Sequence, residues 1–239
     1  MVKLKPTRKE ATVLDIEVDR RRRRERPYFD PDHDDDDDDD DDEEGLVSYD
    51  FTGAIGDAWE FVDPIDDCSF SITDDDQLAL VVPSGTSHDA WPSELEAARL
   101  VQEVGDVDFE VEAKFDTVPS ERFQIQGICV EEDEGYFIRF DFYSDGMFVR
   151  FFAATFVDGS PNTRQSTVVS ISAGHRLRVG RVGDVWTASD SPDGVTWTQR
   201  TSFTHSMEVS DVGVMAGNAG ASPAFTVLVD YFFDTSDPL

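Results

Sequence analysis

Lysine is almost missing from the larger part of this chain. The 239 residues include 52 Asp or Glu and 20 Lys or Arg, a formal net charge of −32. From residue 45 onward, 34 acidic residues face ten basic ones; nine of the ten are Arg, and Lys114 is the only lysine. A folded domain with that imbalance repels itself in ordinary buffer. At molar salt the Debye length falls to ~3 Å, and neighbouring carboxylates scarcely sense one another. The acids are spread along the chain's apolar runs instead of clustered, so the composition predicts a domain suited to molar salt, as in extreme halophiles. The alternative is an acidic surface that seeks basic partners or cations.

Other absences narrow the function. With two cysteines, Cys68 and Cys129, one disulfide is neither required nor excluded. Cys129 lies in an apolar run, where a buried free thiol is the plain expectation. No stretch approaches the ~18 apolar residues of a membrane span. The run from Ala11 to Val18 is broken by Asp15 and Glu17 and lacks the apolar core of an export leader, so synthesis in the cytoplasm is expected. His33, His88, His175 and His205 show no metal-ligand spacing, and no metal or cofactor is expected. There is no G-x-S-x-G elbow, phosphate-binding loop or dinucleotide fingerprint. The domain's charge disfavours nucleic acid as a partner.

What is present falls into segments. Residues 1–29 form a basic arm with ten Lys or Arg against five acids, including Arg20 to Arg24 and Arg26. Within it, 12–18 alternates apolar and polar and reads as a strand that would have to dock on another sheet, a partner's included. Residues 30–45 read as an unstructured acidic linker around nine consecutive aspartates, Asp34 to Asp42. Cation binding there is expected to be weak, because the run lacks a calcium-loop pattern.

From residue 46 to 234 the pattern is β, followed by a short tail at 235–239. Apolar-alternating runs occupy 46–51, 68–72, 77–82, 98–104, 107–118, 123–130, 136–143 and 147–157. They continue at 165–171, 176–182, 185–189, 195–201, 209–216 and 224–233. Turn pairs separate them: Glu134-Gly135, Asp145-Gly146, Asp158-Gly159, Gly183-Asp184 and Asp193-Gly194. The only helical-looking piece is 93–98. Around a dozen strands with tight turns predict an all-β, two-sheet antiparallel sandwich. In 107–118, Phe109, Val111, Ala113 and Phe115 share the core face. In 136–143 both faces carry aromatics, with Arg139 and Asp141 on the second. Such a face is either a shallow ligand groove or a partly covered sheet surface.

The order of pieces in the C-terminal half carries a resemblance. His175-Arg176-Leu177-Arg178-Val179 through Trp186 is followed by Ser191-Pro192-Asp193-Gly194-Val195-Thr196-Trp197. Val212-Gly213-Val214-Met215-Ala216 and Phe225-Thr226-Val227-Leu228-Val229-Asp230-Tyr231-Phe232 come next. Over about residues 46–234 this resembles the concanavalin A-like lectin/glucanase superfamily, particularly its DUF1349-type and xylosidase C-terminal modules, and the resemblance implies a jelly-roll sandwich. The Ser191-to-Trp197 turn also resembles a shortened Asp box, with a structural role: Asp193 holds turn amides and Gly194 supplies the positive φ.

Catalytic members of that superfamily place carboxylates alternately on one strand, one as nucleophile and one as acid. The nearest match, Asp108-x-Glu110-x-Glu112, has the wrong order, so no catalytic residue is expected. Binding of carbohydrate is the remaining reading. Sugars need an aromatic platform and planar polar groups, for which the candidates are Trp91, Gln124, Gln126, Arg139, Asp141, Tyr143 and Arg150. The resulting expectation is a non-catalytic, lectin-like adhesive module binding a cell-surface glycan. It would be held through residues 1–29 on a larger oligomeric assembly, such as the particle of a halophile's virus. A purely structural decoration subunit is one alternative; a glycoside hydrolase or its accessory domain is another.

Overall fold

A computed structural model describes residues 45–91, 95–133 and 135–239. The basic arm, its docking strand at 12–18, and the aspartate linker up to residue 44 lie outside the described residues, as do positions 93 and 94 of the helical-looking piece. No helix occurs among the described residues, and Ala98 opens a strand.

In chain order the strands are β1 (Trp59–Val62), β2 (Ser69–Ile72), β3 (Leu78–Val82), β4 (Ala98–Glu103), β5 (Phe109–Phe115), β6 (Gln124–Asp133) and β7 (Tyr136–Ser144). Then come β8 (Val149–Val157), β9 (Ser160–Val169), β10 (His175–Val182), β11 (Val185–Ser191), β12 (Thr198–Thr204), β13 (Asp211–Asn218) and β14 (Phe225–Asp234). They form two antiparallel seven-stranded sheets. One has the order β1-β4-β13-β6-β7-β8-β9, the other β12-β11-β10-β5-β14-β3-β2.

Period-2 alternation assigns the core between the sheets. From β5 come Phe109, Val111, Ala113 and Phe115; facing them from β7 are Ile138, Phe140 and Phe142. Each large side chain enclosed there contributes about 1.5–3 kcal/mol. The first sheet is apolar on its other face as well. There Ile125, Cys129, Phe137, Phe152, Ala154, Phe156 and Met215 form a second cluster, covered by Ala90, Leu95 and Ala97. The long connection between β3 and β4 folds across that face, which explains the aromatics on both sides of β7 and β8.

Four strand expectations shift. The run at 195–201 becomes β12, three residues later, because the Asp193 turn takes up the Val195 and Thr196 amides. Residues 46–51 contribute only a bridge, Tyr49 with Phe232. The strand stops because Asp50 Oδ1 accepts from the Thr52 amide at 3.0 Å and Phe51 turns to φ 58°. The edge strand β1 is only four residues long, too short for alternation to mark it in the sequence. β9 starts at Ser160, five residues early, through a polar stretch containing Pro161; an edge strand paired only with β8 tolerates both. Cys68 and Cys129 are both free, the second wholly buried.

The hairpin chemistry is as read. Asp193 Oδ1 accepts from the Val195 and Thr196 amides at 2.8 and 2.7 Å, and Gly194 has φ 75°. Trp197 lies under the Arg178 guanidinium, 3.9 Å from ring centre to Cζ.

Candidate functional site

The covered face of the first sheet is not covered completely. Between the β3–β4 connection and the turn after β13 opens a cavity of about 380 Å³, lined by Asp89, Trp91, Phe123, Ile125, Arg139, Tyr143, Phe152, Ala219 and Gly220. That volume lies within the ordinary range of small-molecule sites.

Strand geometry builds the floor. Odd positions of β7 face the cavity side, so Arg139, Asp141 and Tyr143 stand in a row. Their neighbours on β6 in register are Cys129, Gly127 and Ile125. Opposite Asp141 on β8 is Phe152. Gly127 permits the close approach of β6 to β7: a Cβ there would lie 2.6 Å from the Cα of Asp141.

Arg139 is the centre. Its Nε donates to Asp141 Oδ2 at 2.7 Å, its Nη1 donates to the Ala90 carbonyl at 2.7 Å, and its guanidinium lies 5.1 Å from the centre of the Phe152 ring. The Ala90 contact fastens the covering connection to the sheet. Asp141 is fully buried behind Arg139, and its Oδ1 has no partner among the described residues. Burial pushes the Asp141 carboxyl above the usual range, with the Arg139 charge opposing. Asp89, at the rim, is pushed the same way by burial and opposed by Arg139.

Aromatic rings make the walls. Trp91 meets Phe152 and Phe156 edge-on, both at 5.8 Å, yet keeps 42% of its surface exposed. Tyr143 packs edge-on against Phe152 at 5.7 Å and stacks loosely with Phe123 at 6.5 Å. An exposed indole beside a buried cation–carboxylate pair offers a flat apolar surface next to fixed polar groups.

Four of the seven sequence candidates therefore meet: Trp91, Arg139, Asp141 and Tyr143. Gln124 and Gln126 occupy even positions of β6 and point away. Gln126 bonds Thr117 through both side-chain atoms, and Gln124 accepts from the Ser120 and Glu121 amides and donates to the Ala224 carbonyl. Arg150 shares the sheet face but donates to Asp145 Oδ2 at 2.6 Å, locking the β7–β8 turn. Asp89, Phe123 and Phe152 were missed. Asp89 sits in a connection without periodicity. Phe123 heads the 123–130 run, but its φ of 67° turns it out of β6 towards the cavity, and Phe152 carries no local sign that sets it apart from the other aromatics of 147–157.

The carboxylates of β5 and the residue before it are engaged on the other sheet. Asp108 accepts from the Gly183 amide, Glu110 from Thr235 Oγ1, and Glu112 from Arg178 Nε and the Tyr231 hydroxyl.

No family model and no curated protein matches the sequence. Solved structures share the fold. A mutant of the GH43 protein BlXynB from Bacillus licheniformis superposes with a TM-score of 0.64 at 17% identity, over 77% of this chain and 38% of that one. A xylan β-1,4-xylosidase from Bacillus halodurans gives 0.60 at 14% identity, over 77% and 38%. The CBM2 module of the evolved Dit of Lactobacillus casei BL23 phage J-1 gives 0.55 at 6% identity, over 78% of this chain and 93% of the module. This chain thus spans well under half the length of the two Bacillus proteins, and at these identities the likeness establishes the concanavalin A-like, jelly-roll sandwich fold.

Proposed function

We propose that the sandwich is a non-catalytic carbohydrate-binding module, and that a glycan docks in the cavity against Trp91 and Tyr143. The observation that carries this reading is the buried Arg139–Asp141 pair beneath a half-exposed indole. The rings stack on the apolar face of a sugar, and the fixed guanidinium orients its hydroxyls. The fold neighbours, which by name include a xylosidase and a CBM2 module, support carbohydrate as the ligand class.

The absence of catalysis is part of the proposal. The carboxylates at 108, 110 and 112 are tied to structural partners, and Asp141 is enclosed; neither set resembles a pair flanking a scissile bond. We place the module, in molar salt, on a larger assembly such as a virus particle, where it attaches to a host-surface glycan. The phage-derived neighbour supports this setting. A second reading, an accessory region of a glycoside hydrolase, is favoured by the two Bacillus neighbours, of which this chain spans 38%.

Glycan-array and whole-cell binding in molar salt test the proposal. Wild-type protein binds a defined glycan class, and Trp91→Ala and Tyr143→Ala each weaken binding on the order of tenfold, about 1.4 kcal/mol, while remaining folded. A folded wild-type protein that binds no glycan and no cell surface sinks it. Release of sugar from xylan would replace non-catalytic binding with hydrolysis.

A further inference from the structure

Away from the Arg139 pair, the turn between β1 and β2 meets the connection after β3. There Asp67, Cys68 and His88 present an oxygen, a sulfur and a nitrogen, all within 4.8 Å of one another. His88 Nε2 is 2.5 Å from Asp67 Oδ1, and Cys68 Sγ is 3.8 Å from the same oxygen. His88 is fully enclosed, whereas Asp67 opens to solvent.

The hydrogen on His88 is assigned from its far side. Asn218 Nδ2 donates to the carbonyls of Pro83 and Pro223, both at 2.9 Å. Two carbonyls accept only N–H, so the amide cannot be turned over. Its Oδ1 therefore faces His88 and accepts from the backbone amide at 3.0 Å and from Nδ1 at 3.2 Å. With Nδ1 protonated, a neutral ring aims its Nε2 lone pair at the Asp67 carboxylate. Two acceptors in that position need a cation between them, either a proton or a metal ion. With a proton there, the adjacent Cys68 thiol makes only a long hydrogen bond to Asp67 Oδ1 at 3.8 Å; with a metal ion, its sulfur becomes a ligand.

We propose that Asp67, Cys68 and His88 form a binding site for one zinc-type divalent ion. Ligand atoms on a tetrahedral zinc stand about 3.3–3.5 Å apart, given bonds of roughly 2.0–2.3 Å. The sulfur–oxygen separation is already close to this; Asp67 Oδ1 has to retreat from His88 Nε2 by less than about 1 Å, and the sulfur and the imidazole nitrogen, within 4.8 Å of each other, settle on the ion as Cys68 turns. The turn is preset: Asp63 accepts from the Ile65 and Cys68 amides at 3.3 and 2.6 Å. A mixed imidazole, thiolate and carboxylate set favours zinc over calcium or magnesium. The Nδ1–H to amide-oxygen bond is the outer contact that orients a ligating histidine. Binding as thiolate displaces the Cys68 proton to solvent. The fourth position, on the exposed side, takes water.

This site does not rest on the glycan reading. It does bear on the cavity, because His88 lies one residue before Asp89 and three before Trp91, and the ion would tie the connection that carries them to the β1–β2 turn.

The test is cobalt titration of the chelator-treated full-length chain in molar salt, followed by competition with zinc. One equivalent produces a near-ultraviolet thiolate-to-cobalt charge-transfer band, and zinc abolishes it. The band is missing in Cys68→Ser, and affinity falls at least about tenfold in Asp67→Asn. Zinc raises the melting temperature of wild type and not of Cys68→Ser. The aspartate run and surface carboxylates bind cobalt without a thiolate band, and Cys129 is wholly enclosed, so the band reports Cys68. A folded wild type with no band, or a band that survives in Cys68→Ser, overturns the proposal and leaves His88 and Asp67 as a hydrogen-bonded pair.

Discussion

Arg139 and Asp141 stand two residues apart on one face of β7, joined at 2.7 Å, with side-chain exposures of 4% and 0%. Each neutralises the other in a place where neither charge would be tolerated alone, and Arg139, so oriented, donates to the Ala90 carbonyl and holds the connection that walls the cavity.

Removing one partner exposes that dependence. Arg139→Leu leaves the Asp141 charge buried without a counterion and costs about 3–5 kcal/mol. Because burial raises the folded-state pKa of Asp141, the deficit is greatest at neutral pH and shrinks as pH falls towards the unfolded value near 3.8. Urea unfolding of the variant in molar salt across that range checks both magnitude and sign. Adding Asp141→Leu to Arg139→Leu recovers most of the lost stability.

Gly127→Ala strikes the same place from β6. The added Cβ would lie 2.6 Å from both Cα and Cβ of Asp141, so the strands must part, at a cost of about 1–3 kcal/mol. Gly56→Ala meets nothing within 4 Å and stays within about 0.5 kcal/mol of wild type. Equal midpoints for the two variants in denaturant melts would refute this.

Two hairpin aspartates shape the acid limb. Asp145 accepts from the Phe148 and Met147 amides and from Arg150, and Asp193 accepts from the Thr196 and Val195 amides; these bonds hold both carboxyls down at about 2. Each takes up its proton near 3.8 when unfolded. Stability from these groups is therefore full above about pH 4 and is lost as pH falls to about 2. Melting temperature against pH should show a shallower fall through that window in Asp145→Ala and in Asp193→Ala than in wild type.

Ionic strength is the last lever. With 34 acids against ten basic residues from residue 45 onward, thermal stability should climb as the Debye length contracts from about 10 Å at 0.1 M to about 3 Å at 1 M salt. Melting in potassium chloride over that range measures it. A protein most stable in dilute buffer contradicts the high-salt reading.

The strands were largely legible because their signal is local. Val111 and Phe115 lie one pleat-repeat from their neighbours, and their inward direction follows from the backbone whatever the rest of the chain does. The Asp193-Gly194 turn was legible for the same reason: its donors and acceptors lie within three residues. The site was half legible. Alternation put Arg139, Asp141 and Tyr143 on one face, but the same alternation turns Gln124 and Gln126 inward, and only the register of β6 against β7 shows it.

By itself, then, the sequence determined two sheets, the faces they bury, the hairpins that join them and the acid coat outside. The tertiary structure decided what covers the second face, and which residues distant in the chain meet: Arg139 with Ala90, and His88 with Asp67 and Asn218. A two-residue repeat constrains only neighbours along a strand. The route of an aperiodic connection depends on closing a long loop against packing partners far away in the chain, and no local pattern records that choice.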